Sequence, residues 1–441
     1  MKIKKRIALL IVLQITLLFN SCSSDSGDAQ VVVTPQVPVV INTTIKSYSK
    51  DYGTTGETIT MTGENFSTKM SEIKITFDGV AATILSATAT EIAFTLPATE
   101  KLLPKLVVTI ENRTVTNAVK NNYDKCIGIL PIPTVGAWFT IDNGMKSDLG
   151  IPHIQILSDK ILYYNTNNTG ASVVRTLDGG ITWKSWALNG FKAGFHATIN
   201  DEGWSNTGFG YSKIAVGGYT GIDTFTNFGN ATVETSYCIY VDANMKDGTI
   251  VTQVGKVFST TNGADFAKVY ETIGDRTNLF QSTVIDNDHI WAIGYKSIKD
   301  VDGFTADRPF ILFKNNTTDG WKEYPFIKEA GGNFAREICF VDASTGFLLI
   351  NNYSTLDVKL FKTNNGGDSW SQIYNGEKFT KFAFKDANIG WAILDNKIYK
   401  TTNGGVAWTL DYTHDQPIRN IAYKNNVVWA ISNDKIIKRY L

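Results

Sequence analysis

The stretch Leu177-Asp178-Gly179-Gly180-Ile181-Thr182-Trp183 decides the fold, because it recurs. Asn364-Asn365-Gly366-Gly367-Asp368-Ser369-Trp370 and Thr402-Asn403-Gly404-Gly405-Val406-Ala407-Trp408 keep its spacing. Thr261-Asn262-Gly263-Ala264-Asp265-Phe266 is one residue shorter, and Asn315-Asn316-Thr317-Thr318-Asp319-Gly320-Trp321 is a decayed copy. In a hairpin, Asp or Asn accepts hydrogen bonds from its own turn amides, Gly takes positive φ, and Trp packs back against the sheet. Asp178, Gly180, Trp183, Asn262, Phe266, Asn365, Gly367, Trp370, Asn403, Gly405 and Trp408 are therefore assigned structural work, which removes their carboxylates from any catalytic shortlist.

A second element precedes each turn. An apolar run ends in Asp or Asn and an aromatic follows four or five residues on: Asn200 to Trp204, Asp286 to Trp291, Asp342 to Phe347, Asp386 to Trp391, Asn425 to Trp429, with weaker equivalents from Ser158 to Leu162 and Asp242 to Ile250. These repeats divide residues 130–441 into seven units of roughly 45 residues, the size of one four-stranded propeller blade; six blades are the alternative. The last unit is one strand short, and Gly136-Ala137-Trp138-Phe139-Thr140-Ile141 stands unpaired before the first. The N-terminal strand is thus expected to complete the last blade and close the ring. The turn resembles the Asp-box (BNR) repeat, and strand, Gly-Trp-Ala and Asp-box in succession resemble propellers of the photosystem II assembly factor type. Sialidases and sortilins also carry Asp-boxes, so the repeat implies a fold, not a function.

Residues 38–122 read differently. Thr58–Thr62, Ile73–Phe77, Glu91–Leu96 and Leu106–Ile110 alternate with period two, are rich in β-branched residues and are separated by Gly, Asn and Pro turns, which argues for a small antiparallel sandwich. Tyr52-Gly53 through Gly63-Glu64-Asn65-Phe66, with Phe77-Asp78-Gly79-Val80-Ala81 and Leu96-Pro97, resembles the IPT/TIG immunoglobulin-like domain, which implies a spacer or adhesion module. The fold class is therefore all-β: an immunoglobulin-like (IPT/TIG) sandwich followed by a seven-bladed β-propeller.

At the start, Lys2, Lys4, Lys5 and Arg6 precede an apolar run from Ile7 to Phe19, shorter than the ~20 residues of a spanning helix. Residues 1–21 read as a signal peptide. Leu18-Phe19-Asn20-Ser21-Cys22 resembles a bacterial lipobox, with Cys22 as the lipidation site, and Cys22 to Asp28 resembles the acidic tether of Bacteroidetes surface lipoproteins. Residues 22–37 form a flexible tether. The expected localisation is the outer membrane, lipid-anchored and facing outward. Removing residues 1–21 takes away four basic residues and leaves a net charge of −4, so attachment must come from lipid and not from a basic patch.

The 42 basic and 42 acidic residues exclude a strongly basic nucleic-acid binder, and 43% hydrophobic residues exclude a disordered chain. Cys126, Cys238 and Cys339 permit at most one disulfide, and Cys238 and Cys339, within apolar strand-like runs, read as buried thiols. No phosphate loop, nucleophile elbow or dinucleotide fingerprint is present, and His153, His196, His289 and His414 lack zinc spacing, so neither cofactor nor metal is expected. Asp300-Val301-Asp302-Gly303 with Asp307 reads as a turn.

With boxes on one rim, a ligand is expected at the opposite mouth of the channel, near the starts of the innermost strands. Phe195, Tyr237, Phe280, Arg336, Lys381 and Arg419 are expected there, joined by Trp186, Arg276, Arg308 and His414 from loops. Such aromatic and cationic groups suit sugar rings, carboxylates or peptide acids. The expected function is non-catalytic recognition of an extracellular glycan or protein. A sialidase-like glycoside hydrolase, with Arg276, Arg336 and Arg419 on a carboxylate, and a periplasmic assembly factor are the alternatives. No paired carboxylates outside turns favour hydrolysis. Alkynyl-palmitate labelling is expected to mark the wild-type chain and to be lost in Cys22→Ala; undiminished labelling would remove the lipid anchor.

Overall fold

The computed structural model describes residues 42–441, apart from residues 122, 124–125, 132–133, 143–152, 167–171, 188–193, 201, 207–210, 215–222, 226–234, 275, 300–302, 330–331 and 353–354. The signal peptide, Cys22 and the tether lie outside the described residues.

Thr43 onward folds into two four-stranded sheets. Thr44–Tyr48, Thr58–Glu64, Glu91–Thr95 and Thr83–Ala87 make one, in spatial order. Val80–Ala81, Ile73–Phe77, Leu106–Ile110 and Arg113–Val115 make the other. Alternation puts Ile59, Met61, Ile75, Phe77, Ile92 and Phe94 between them, all buried. Phe66 closes over Gly63, where an added Cβ would meet its ring at 2.3 Å.

Among the described residues seven four-stranded sheets follow, each antiparallel and laid down from inner to outer strand. The inner strands are Ile154–Ile156, Phe195–Ala197, Ser236–Val241, Thr277–Asp286, Asn333–Phe340, Lys381–Phe384 and Ile418–Lys424, numbered here as blades 1 to 7. Blade 7 takes its outermost strand from the other end of the chain. Trp138–Asp142 pairs with Lys435–Tyr440, from Trp138 opposite Arg439 to Asp142 opposite Lys435. The ring therefore closes as expected, and the outer hydrogen-bonding edge of Lys435–Tyr440 is covered.

Blades 4, 5 and 6 hold together through rings stacked over glycines. Phe340 and Phe384 end the inner strands of blades 5 and 6 and face Gly346 and Gly390 across the strand pair. A Cβ on either glycine would lie 2.5 Å from the opposing ring. Because it is absent, each ring lies flat against the second-strand aromatic of the preceding blade, Phe340 on Trp291 at 3.6 Å and Phe384 on Phe347 at 3.5 Å. Trp204, Trp291, Phe347, Trp391 and Trp429 are all buried, each worth roughly 2–3 kcal/mol of transferred apolar surface.

The turns work locally. Asp178, Asn365 and Asn403 each accept the amide four residues on, at 2.9, 3.0 and 2.9 Å. Asn262 accepts the amides of Ala264 and Asp265. The indoles of Trp183, Trp370 and Trp408 return to the carbonyls of Gly180, Gly367 and Gly405 at 3.0–3.1 Å. These glycines have φ of 104°, 100° and 91°. Each turn also binds the tip of its own blade's first hairpin, Gly179 N to Lys160 O, Gly366 N to Ser344 O and Gly404 N to Asn388 O. Box turns and first-hairpin turns therefore share one face of the ring, and the crossings between blades occupy the other.

Gly405→Ala combines an unfavourable φ with a Cβ 2.8 Å from Leu360. It should destabilise the protein by about 1–3 kcal/mol, read as a lower urea midpoint; an unchanged midpoint would show that the turn geometry is not demanded.

Candidate functional site

The seven inner strands face a central channel. Four of them carry a β-bulge at the same point of the repeat, and the residue left without a partner is Tyr237, Phe280, Arg336 or Arg419. An extra residue re-aims the side chains around it, so four of the expected ligand residues occupy equivalent positions near the mouth opposite the boxes. All four are half-buried. Phe280 meets Phe334 at 5.9 Å, and Arg419 Nε donates to Asn433 Oδ1 at 2.8 Å.

Other expected positions do not join them. Phe195 is 2% exposed, packed between His153 and Tyr163, and fills the core. Lys381 is 7% exposed and ion-paired to Glu337. Arg308 donates to the Glu329 carbonyl. Arg276 is exposed beside the Tyr295 hydroxyl, at 2.6 Å. Trp186 belongs to Lys184–Ala187, the outermost strand of blade 1, and not to a crossing loop; its side chain lies outside the described residues. His414 is buried, its Nε2 shared between Ser432 Oγ at 3.2 Å and Asp434 Oδ1 at 3.1 Å. Ser432 also donates to Asp434, and serine and aspartate meet the same ring nitrogen, so this group lacks the relay order of a nucleophilic triad.

What sequence reading missed is the interior of the channel. A cavity of about 570 Å³ lies between the inner strands of blades 4 to 7 and His153. At its inner end, Gln281 Nε2 donates to Glu337 Oε1 at 3.0 Å, and Glu337 is ion-paired to Lys381, a chain that crosses blades 4, 5 and 6. His153 and Asn420 complete this end, while Asp342, Lys385, Tyr423 and Lys424 lie where the cavity reaches the box face. Gln281, Glu337 and Asn420 each follow a bulge and pair with the residue two beyond the second-strand aromatic, at Ile293, Leu349 and Ile431; Lys381, whose strand pair is regular, pairs likewise with Ile393. That register was the signal available in the sequence, but it needs the pairing to be read.

Both carboxylates of the wall are committed. Glu337 serves Lys381 and Gln281. Although burial pushes the Asp342 carboxyl up, the Ser344 hydroxyl and the amides of Thr345 and Ser344, all donating to its Oδ1, hold it below the usual range. Burial, with the Lys381 charge, pushes His153 down to about 4. Burial is also the main cause of the shift of His196 to about 4. Among the described residues no three His, Cys, Asp or Glu side chains gather as a metal site. Asp300 and Asp302 lie outside the described residues, and Asp307 accepts from Ser297. Cys126, Cys238 and Cys339 are free thiols; burial raises Cys238 to about 12 and Cys339 to about 11, so neither is a thiolate nucleophile at neutral pH.

Residues 43–124 match the IPT/TIG domain family. No curated protein matches the chain in sequence. Among solved structures, YCF48 bound to D1 peptide aligns with TM-score 0.50 and 12% identity, over 69% of this chain and 97% of that one. YCF48 from Cyanidioschyzon merolae aligns at 0.48 and 16%, over 69% and 99%. An auxiliary nutrient binding protein from Bacteroides ovatus ATCC 8483 aligns at 0.41 and 12%, over 90% and 98%. The first of these likenesses speaks for the fold alone.

His153 and His196 have depressed values in the folded chain, so the unfolded chain binds more protons between about pH 4 and 6.5. Their stabilisation is complete above pH 6.5 and is lost as the pH falls through that window. The urea midpoint should drop between pH 7 and 4.5, and His153→Gln should flatten part of the drop; an identical slope in the variant would show that His153 does not drive it.

Proposed function

We propose that the chain is a lipid-anchored surface protein whose propeller recognises an extracellular glycan or protein without chemically altering it. The observation that carries this reading is the state of the channel wall. Its carboxylates are held by a lysine, a glutamine or turn amides, and its histidine is neutral, so no donor and acceptor pair is poised to shuttle a proton. What remains is a set of amides, hydroxyls and cations suited to hydrogen bonding.

The face opposite the boxes favours a macromolecular ligand. It carries Tyr237, Phe280, Arg336 and Arg419 around the channel. Its loops expose Ile273, Phe304, Ile327 and Leu356. Phe304 lies in the loop between His289–Lys299 and Thr305–Asn315, strands of eleven residues where the second and third strands of the other blades have four to seven. Aromatic and apolar side chains near arginines are the usual anchors of such contacts. The D1 peptide held by the YCF48 propeller is a precedent for a polypeptide ligand on this fold. Anchoring through Cys22 would keep the ligand outside the cell.

A chain lacking residues 1–30, screened on glycan and peptide arrays, should give a ligand whose affinity falls at least about tenfold in Arg336→Ala/Arg419→Ala, since each lost charged contact is worth roughly 1.5–3 kcal/mol. Unchanged affinity would exclude this face, and release of a fluorophore from a glycoside panel would overturn the non-catalytic reading.

A further inference from the structure

The first box differs from the others in one atom. Blades 3, 5 and 6 use Asn262, Asn365 and Asn403, whose amide nitrogens donate within their own turns in at least two cases, Asn262 to Asp265 and Asn365 to Ser369. Blade 1 uses Asp178. One of its oxygens takes Thr182 N and Thr176 Oγ1, as in the other boxes. The second takes Thr182 Oγ1 at 2.6 Å and the hydroxyl of Tyr123, at the end of the sandwich, at 2.8 Å. Both hydroxyls thus donate to a carboxylate oxygen, and each bond is charge-assisted, where an asparagine would offer a neutral NH2 donor in its place.

Around that bond the two domains interlock. Gly128–Leu130, in the link to the propeller, pairs in parallel with Tyr52–Thr54 of the sandwich. Leu130, Tyr123 and Ile181 form a buried cluster with Tyr52, Leu102 and Cys126 against it. The Lys160 ammonium lies over the Tyr52 ring, 5.3 Å from its centre. Leu102 of the sandwich also packs against the core shared by blades 7 and 1, which contains Ile141, Tyr164 and Trp429.

The same box is bound from its other side by the strand that closes the ring. Lys438 of blade 7 is buried over the Trp429 ring at 3.8 Å. Its ammonium donates to the carbonyls of Gly179 and Asp159 in blade 1, at 3.2 and 3.3 Å. Ile141 of the closing strand sits so close to Gly180 that a Cβ there would lie 2.2 Å from its Cδ1. Sandwich, first blade and last blade thus meet at one turn.

We infer that the IPT/TIG sandwich is a clamp on the seam of the propeller, latched by Tyr123 to Asp178, so that docking of the sandwich and closure of the ring form one cooperative unit. The sandwich then acts as more than a spacer. It holds shut the junction at which the ring has no covalent continuity, and it does so from the box side, leaving the opposite face clear.

The test is amide hydrogen exchange on the full-length chain, comparing Gly128 to Leu130, the seam strand Trp138 to Asp142, and Lys397 to Thr401 of blade 6 as a remote reference. Tyr123→Phe keeps the ring and removes the latch. Exchange should rise about tenfold or more in both the link and the seam, with the reference unchanged, the loss expected for one charge-assisted hydrogen bond. Asp178→Asn should act in the same direction, and its turn chemistry is one the boxes at Asn365 and Asn403 already sustain, so it serves if the first variant folds poorly. The double variant should be no worse than the more affected single one. Faster exchange confined to the link, additive effects of the two substitutions, or an equal rise in all three regions would each overturn the clamp.

Discussion

Blades 4, 5 and 6 are joined by a flat contact between two rings, made possible by a missing side chain. Phe340 lies on Trp291 and Phe384 on Phe347 because Gly346 and Gly390 leave room above the inner strand. This contact sets the spacing between neighbouring blades, and the boxes reinforce it: the Trp291 indole donates to the Gly366 carbonyl in the next blade's turn at 2.8 Å. Blade-to-blade packing and turn chemistry are therefore one device. Where the device is incomplete, a polar atom is stranded. Trp391 and Trp429 are buried with no partner for their indole nitrogens. Blade 7, next to Trp391, has no box, because its third and fourth strands come from opposite ends of the sequence. The box next to Trp429 is occupied by Lys438.

A ring built this way has no covalent link at its seam, where strand pairing, the Lys435–Asp142 ion pair and the stack of Phe139 on Tyr440 join Trp138–Asp142 to Lys435–Tyr440. The structure concentrates unusual groups there: a buried lysine that burial pushes down to about 7, an aspartate where other boxes have asparagine, and the docked sandwich. The opposite side of the molecule is organised for exposure, with long strands in blade 4 and bulged inner strands around the channel. One face carries the contacts of cohesion, and the other is the face proposed for recognition.

Much of this was legible in the chain. The boxes could be read because their chemistry closes within seven residues: Asp178, Gly180 and Trp183 bond to one another's neighbours, so spacing alone carries the information. The second-strand aromatics could be read for a related reason, since one turn sets their distance from the preceding Asp or Asn. Even ring closure followed, because Gly136 to Ile141 had no partner where the last unit lacked a strand. The candidate site was legible only in part. The sequence groups Tyr237, Phe280, Arg336 and Arg419 with Phe195 and Lys381, but only the first four stand at a bulge, and Phe195 and Lys381 are buried. The bulge that separates the two groups is a property of pairing.

The repeating unit, its turns and its division from an immunoglobulin-like sandwich can be read along the chain, since each rests on hydrogen bonds and ring contacts between residues close in sequence. What the channel contains and where the sandwich sits emerge only with the folded ring. Glu337 and Lys381 are 44 residues apart, and Tyr123 and Asp178 are 55 apart. Gly179 and Lys438 are 259 apart. A buried charge takes whichever partner folding brings within reach, and no local pattern announces that partner in advance.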